Sequence, residues 1–284
     1  MVLVLLRIGA SDLEQLLTII ENETIIKEGL RKRLIMQIAN KRLDVPSKVL
    51  EEFITASEIL ATPRKVNSGK MIVLTGLDKS GKETQAFNPE RNPRITSLCD
   101  YLRSRSYNVL EISLPSYKNT FGSLVAAYLR KEDADAQILG ELDKKVAWIL
   151  WSLDRAGHVL EVEKWLESSP SNVVVCKRWT ETNIAYQRAN GIEEKRILDL
   201  ERNIIKQTYT FVIDVSPETV LQRMHTSGEK PDKYETIEFL KKVRRNYANL
   251  HEFYPFGKIF YFDGSGSMEE VNQKLLQKLN ELGF

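Results

Sequence analysis

Cysteine is scarce: Cys99 and Cys176 are the only two in 284 residues, and they lie far apart. A disulfide framework or a thiolate zinc site needs paired or clustered cysteines, so neither is supported and a reducing cytoplasm is expected. Excess charge is also missing, since 41 Lys and Arg face 39 Asp and Glu for a net charge of +2. That balance gives no broad attraction to nucleic acid or to an anionic membrane, and any anion site must be local. Long apolar runs are absent too. The opening Met1-Val-Leu-Val-Leu-Leu-Arg7 falls short of a membrane span and of a signal segment, which needs roughly 7 to 15 apolar residues, so the chain is read as soluble and unexported. His158, His225 and His251 show no ligand spacing and read as structural or surface residues. There is no internal repeat.

What remains is material for a globular core, with 42% hydrophobic residues. Residues 1–69 carry apolar positions at helical spacing, as in Leu13, Leu16, Leu17 and Ile20, and are expected to form a helical extension. Ser11 followed by Glu14 has the pattern of a capping box, and Pro46-Ser47 opens a second helical run through Val49, Phe53 and Ile59. Linker residues from Ala61 to Gly69 then mark a boundary, and residues 70–284 form the second domain.

From Lys70 onward β-rich runs alternate with helical stretches. The strand candidates are Met71 to Thr75, Asn108 to Ser113, Asn172 to Cys176, Thr208 to Val215 and Lys258 to Phe262, with a long helix expected from about Ala134 to Leu166. Such alternation predicts a three-layer α/β fold, with a five-stranded parallel sheet between helices and ligands at the carboxyl ends of its strands.

The strongest chemical signal is Gly76-Leu77-Asp78-Lys79-Ser80-Gly81-Lys82, placed directly after a strand and opening a helix. The glycines let the backbone curl so that successive N–H groups face an anion, and the lysine reaches terminal phosphates. Where this motif places Ser or Thr to bring a hydroxyl to Mg2+, the chain has Glu83, with Thr84 one step later. Just beyond, Pro89 and Pro93 should end the helix within two turns.

The chain resembles the thymidylate kinase family from residue 71 to about 262. The loop, extended through Glu83-Thr84-Gln85, follows that family's pattern except at Glu83. Four further segments match. They are Leu114-Pro115-Ser116-Tyr117-Lys118; Trp151 and Arg155, four apart on one helix face; Lys177-Arg178-Trp179 leading to Thr182-Asn183 and Ala185-Tyr186-Gln187; and the strand before Asp214 with the helix and lid that follow. The lid ends in Asp232-Lys233-Tyr234-Glu235.

The resemblance implies a kinase of the phosphate-loop fold that transfers the γ-phosphoryl group of ATP to dTMP, with Mg2+ as cofactor and a homodimer as assembly. It implies that Lys82, Lys79 and Arg178 act on the transferring and acceptor phosphates. Gly76, Asp78, Ser80, Gly81, Glu83, Thr84, Lys230 and Lys233 would line the ATP phosphates. The resemblance assigns dTMP to Asp78, Tyr117, Trp151, Arg155, Arg178, Thr182, Asn183, Tyr186, Gln187 and Tyr234, with Asp78 on the sugar 3'-hydroxyl and Trp151 stacked on the base.

Two positions break the pattern: the hydroxyl residue is Glu83, and the acidic residue at the strand end is Lys177. Three consequences stand open. The two form an ion pair that makes the site one unit more positive; or Glu83, with Glu235 as a second candidate, ligates Mg2+ while Lys177 contacts phosphate; or binding survives and catalysis is lost. The alternatives to a thymidylate kinase are accordingly a nucleotide-binding regulatory protein of the same fold and a kinase for another nucleotide or nucleoside.

Overall fold

A computed structural model describes residues 6–24, 27–131, 134–227 and 236–284. The strands in chain order are β1 (Leu6–Gly9), β2 (Lys70–Thr75), β3 (Asn108–Ser113), β4 (Ala136–Leu139), β5 (Asn172–Lys177), β6 (Tyr209–Asp214) and β7 (Lys258–Asp263). Contacts divide the chain into two compact units: Met1–Lys65, Leu114–Leu160 and Asn190–Ile204 make the first, and Val66–Ser113, Glu161–Ala189 and Ile205–Phe284 the second.

The second unit is built on a parallel sheet with strand order β3-β5-β2-β6-β7. Its central strands are continuous apolar runs, Met71-Ile-Val-Leu74 in β2 and Val173-Val-Val-Cys176 in β5, all buried. That is the pattern of strands covered on both faces, whereas the outer β3 and β7 expose residues along their length. All five strands lie where the sequence predicts them, and the α/β architecture holds. Register pairs Leu74 with Lys177 and Thr75 with Val212, so β2, β5 and β6 deliver their carboxyl ends to one edge. In parallel α/β sheets that edge is where ligands gather.

The helix after the phosphate loop, Lys82–Phe87, is short, as the prolines predict. Asn88 closes it in a left-handed conformation (φ 48°). Its side-chain amide donates to the carbonyls of Asn92 and Ile95, both at 3.0 Å, which folds the Pro-rich segment back into an ordered turn.

In the first unit the N-terminal helices are Ala10–Glu23, Leu30–Lys41 and Ser47–Ala61, and the expected positions Leu13, Leu16, Leu17, Ile20, Val49, Phe53 and Ile59 are all buried. Polar contacts fix them to later parts of the same unit. Arg196 forks onto Glu21 at 2.6 and 2.7 Å, and the Asn203 amide donates to the carbonyl of Leu60 at 2.8 Å.

Two local expectations fail in this unit. The segment expected as one helix from Ala134 to Leu166 instead forms β4, a short turn of helix Lys144–Ala147 and a long helix Ile149–Ser168. Gly140 takes a left-handed backbone (φ 101°) that ends any regular run, and Asp143 caps a new start by accepting from the Lys145 N–H at 2.9 Å. The partner of β4 is β1, distant in sequence, so local periodicity carries no trace of it. The capping box at Ser11 and Glu14 is also not formed. The helix is entered from Gly9 at the end of β1, and Glu14 instead accepts the Asp143 N–H at 2.6 Å.

Candidate active site

The phosphate loop lies in the second unit, between β2 and the helix Lys82–Phe87. Gly76 has φ 139°, and a Cβ there would collide with the carbonyl oxygen of Ile213 on the neighbouring strand β6, so only glycine fits. Lys79 (φ 56°) and Gly81 (φ 88°) complete the curl. Arg223 holds it from outside, donating to the Lys79 carbonyl at 2.9 Å. Ser80 is buried, and its hydroxyl has no hydrogen-bond partner among the described residues.

Lys82 is only 4% exposed, and its ammonium donates to the Leu77 carbonyl at 2.7 Å. Burial, reinforced by the positive charge of Arg178, holds its pKa well below the ordinary lysine range, although Asp78 at 3.6 Å acts the other way. Asp78 is the hub of the loop. Arg178, at the end of β5 with a left-handed backbone (φ 80°), forms an ion pair with its Oδ1. The Tyr186 hydroxyl donates to its Oδ2 at 3.4 Å, and the Arg178 guanidinium lies 5.7 Å from the Tyr186 ring centroid.

Beside this hub the two atypical residues meet: Lys177 Nζ is 3.0 Å from Glu83 Oε1. The ammonium is the inner partner, with its side chain 16% exposed against 54% for Glu83. Burial and then Arg178 lower the pKa of Lys177, while Glu83 supports its charge. Magnesium does not fit this donor set. The carboxylate at the loop is already tied to an ammonium, and the strand-end position that would offer a second oxygen is that ammonium itself, Lys177.

Thr182, Asn183, Tyr186 and Gln187 lie on the helix Thr180–Ala189, and all are buried. Thr182 belongs to a triangle of hydroxyls with Thr75 and Tyr247, at 2.6 Å from Thr75 Oγ1 and 3.1 Å from the Tyr247 oxygen. Tyr247 and Thr75 are joined at 2.8 Å, and burial pushes the tyrosine pKa up to about 12, so it stays a neutral donor. The triangle locks the end of β2, the helix Thr180–Ala189 and the helix Ile237–Ala248 to one another.

Thr84 lies on the helix Lys82–Phe87, while Tyr117, Trp151 and Arg155 lie in the first unit. Tyr117 is partly exposed, with Lys131 Nζ 5.2 Å from its ring centroid. Trp151 packs edge-on against Tyr128, centroids 5.7 Å apart. Arg155 is deeply buried and held by Glu201. Next to it, the Asp154 carboxylate accepts the Ser116 N–H at 2.9 Å, while the Ser116 hydroxyl lies 2.6 Å from His158 Nε2. Burial pushes the Asp154 pKa up to about 6, against the opposing pull of the Ser116 N–H, His158 and Arg155.

Asp154, Glu201 and Tyr247 were not among the expected site residues, and His158 was expected only as a structural or surface residue. Asp154 and His158 had a usable signal in their i, i+4 spacing on the helix that carries Trp151 and Arg155. Lys230, Lys233, Tyr234 and Glu235 lie outside the described residues.

Comparison with known proteins gives consistent similarities. The family model described as thymidylate kinase matches residues 74–275. A probable thymidylate kinase from Methanosarcina mazei is 30% identical over 220 residues, covering 75% of this chain and 96% of that protein. One from Thermococcus kodakarensis is 27% identical over 214 residues, covering 74% and 97% respectively. The solved structure of thymidylate kinase from Candida albicans is similar with a TM-score of 0.55 at 21% identity, covering 76% of this chain and 92% of that one, a likeness of fold.

Proposed function

Because the chain belongs to the thymidylate kinase family, we propose that it transfers the γ-phosphoryl group of ATP to dTMP, yielding dTDP and ADP. The observation that carries this reading is the polar hub at Asp78, where Arg178, Lys82 and Tyr186 converge beside a curled loop. The orphaned Ser80 hydroxyl supports it, since a phosphate oxygen entering the loop would give this buried group a partner.

In this reading an oxygen of the acceptor phosphate attacks the γ-phosphorus. The new P–O bond forms as the bond from the γ-phosphorus to the bridging oxygen breaks, and its electron pair leaves with ADP. No covalent enzyme intermediate is needed, so the protein's task is positioning and neutralising charge. Lys82 and Lys79 stabilise charge on the transferring group, and Arg178 holds the acceptor phosphate with its planar fork. Gly76, Ser80, Gly81 and Thr84 shape the loop around the ATP phosphates. Asp78 takes the sugar hydroxyl, Trp151 stacks on thymine, and Arg155, oriented by Glu201, reads the base. Tyr117, Thr182, Asn183, Tyr186 and Gln187 complete the acceptor site, and Lys230, Lys233, Tyr234 and Glu235 belong to the lid. The loop donors do not fit Mg2+, and the charge on the transferring group is met by Lys82, Lys79 and Arg178.

The proposal extends to organisation: residues 1–69 are a helical extension of a kinase domain at 70–284, and the active protein is a cytoplasmic homodimer. Among the described residues no helix is long and apolar enough to cross a membrane. A coupled assay for ADP with ATP and a panel of nucleoside monophosphates tests the function. Turnover that depends on dTMP supports it; turnover with another acceptor, or nucleotide binding without turnover, contradicts it.

A further inference from the structure

The ion pair at the loop has a buried cation and an exposed anion. Lys177 is fixed by the sheet itself: it ends β5 and pairs in register with Leu74, two residues before the loop begins at Gly76. Glu83 sits on the first turn of the short helix and leaves more than half of its side chain in water. An anionic ligand in the loop can therefore displace the carboxylate outward at little desolvation penalty, whereas the ammonium has nowhere else to go. The surrounding charges point the same way. Among the described residues Lys82, Lys177 and Arg178 pair with two carboxylates, Asp78 and Glu83, and three cations against two anions leave a positive field for a polyanion. A divalent cation at the loop would instead face the Lys177 ammonium and find Glu83 occupied.

We infer that Lys177 is a built-in replacement for the divalent cation: on nucleotide binding its ammonium passes from Glu83 to the β- and γ-phosphate oxygens, and the protein takes ATP as the free tetra-anion. This inference rests on the reading of Gly76–Lys82 as the triphosphate site. Glu83 then acts as a gatekeeping anion that occupies Lys177 until a triphosphate arrives.

Calorimetric titration of the full-length protein with ATP, in EDTA and in excess Mg2+, separates the two ideas. The inference predicts that ATP binds in EDTA at least as tightly as in Mg2+. The variant K177M should lose about tenfold or more of the affinity in EDTA, because one charge-assisted phosphate contact is removed. E83Q should gain affinity in EDTA, because the competing carboxylate is gone; it removes no phosphate contact, so it reports even if K177M folds poorly. ATP bound only in Mg2+, or E83Q binding more weakly than the parent in EDTA, overturns the inference while leaving the loop as a nucleotide site. No ATP binding in either condition overturns the loop reading itself and the inference with it.

Discussion

Arg155 meets Glu201 through two nitrogens, Nε at 3.2 Å and Nη2 at 2.5 Å, and the two residues are 2% and 0% exposed. Ser152 adds a hydroxyl to the same carboxylate at 2.6 Å. A buried guanidinium with a forked partner keeps one orientation, which is what a base-reading group needs.

Removing one partner of that pair strands the other as a buried charge, so Glu201→Ala should lower unfolding stability by about 3 to 5 kcal/mol. Urea denaturation of the variant measures it. A loss below about 1 kcal/mol would place the pair among weak surface contacts instead.

Asp154 gives a pH prediction with a definite sign. Its carboxyl titrates near 3.8 when unfolded and at about 6 when folded, because burial penalises the charge. Between those values the folded state binds the extra proton, so stability is full below about pH 4 and declines as pH rises to about 6. Asp154→Asn keeps an acceptor for the Ser116 N–H without the charge. It should match the parent near pH 4 and exceed it near pH 8 by on the order of 2 kcal/mol, read from thermal or urea unfolding at both pH values. An equal difference at both would show that Asp154 is not held protonated by the fold.

How much of this was legible in the sequence depends on the range of the interactions. The loop Gly76–Lys82, the five strands of the sheet and the early stop before Asn88 are local patterns, with glycines, apolar runs and prolines at fixed offsets. The meeting of Glu83 and Lys177 was one of three readings the sequence left open, and strand order in this architecture brings the two chain positions to one edge. The Glu201 partner of Arg155 lies 46 residues away with no local signature. The β1–β4 pair was hidden for the same reason, and Glu14, whose spacing from Ser11 suggested a cap, serves a distant backbone N–H instead.

With Trp151 proposed to stack on the base and Arg178 proposed to hold the acceptor phosphate, variants of the two should behave differently. Trp151→Ala removes a stacking surface worth about 1 to 3 kcal/mol, which predicts a rise in KM for dTMP of roughly 5- to 150-fold with a smaller change in kcat. Arg178→Ala should lower kcat as well, by about 100-fold or more, since a group that holds a reacting phosphate acts in the transition state. Steady-state kinetics with dTMP varied at saturating ATP distinguishes the two. The opposite pattern, with Trp151→Ala affecting only kcat and Arg178→Ala only KM, would reverse the assigned roles.

Phosphoryl transfer from ATP to dTMP is proposed to occur at the loop around Lys82. Its most direct measurement is product analysis of a reaction with γ-labelled ATP and dTMP, run with the parent protein and with Lys82→Met. Labelled dTDP is expected from the parent, with a fall of about 100-fold or more in the variant. Label appearing only as free phosphate, or equal dTDP from both proteins, would contradict it.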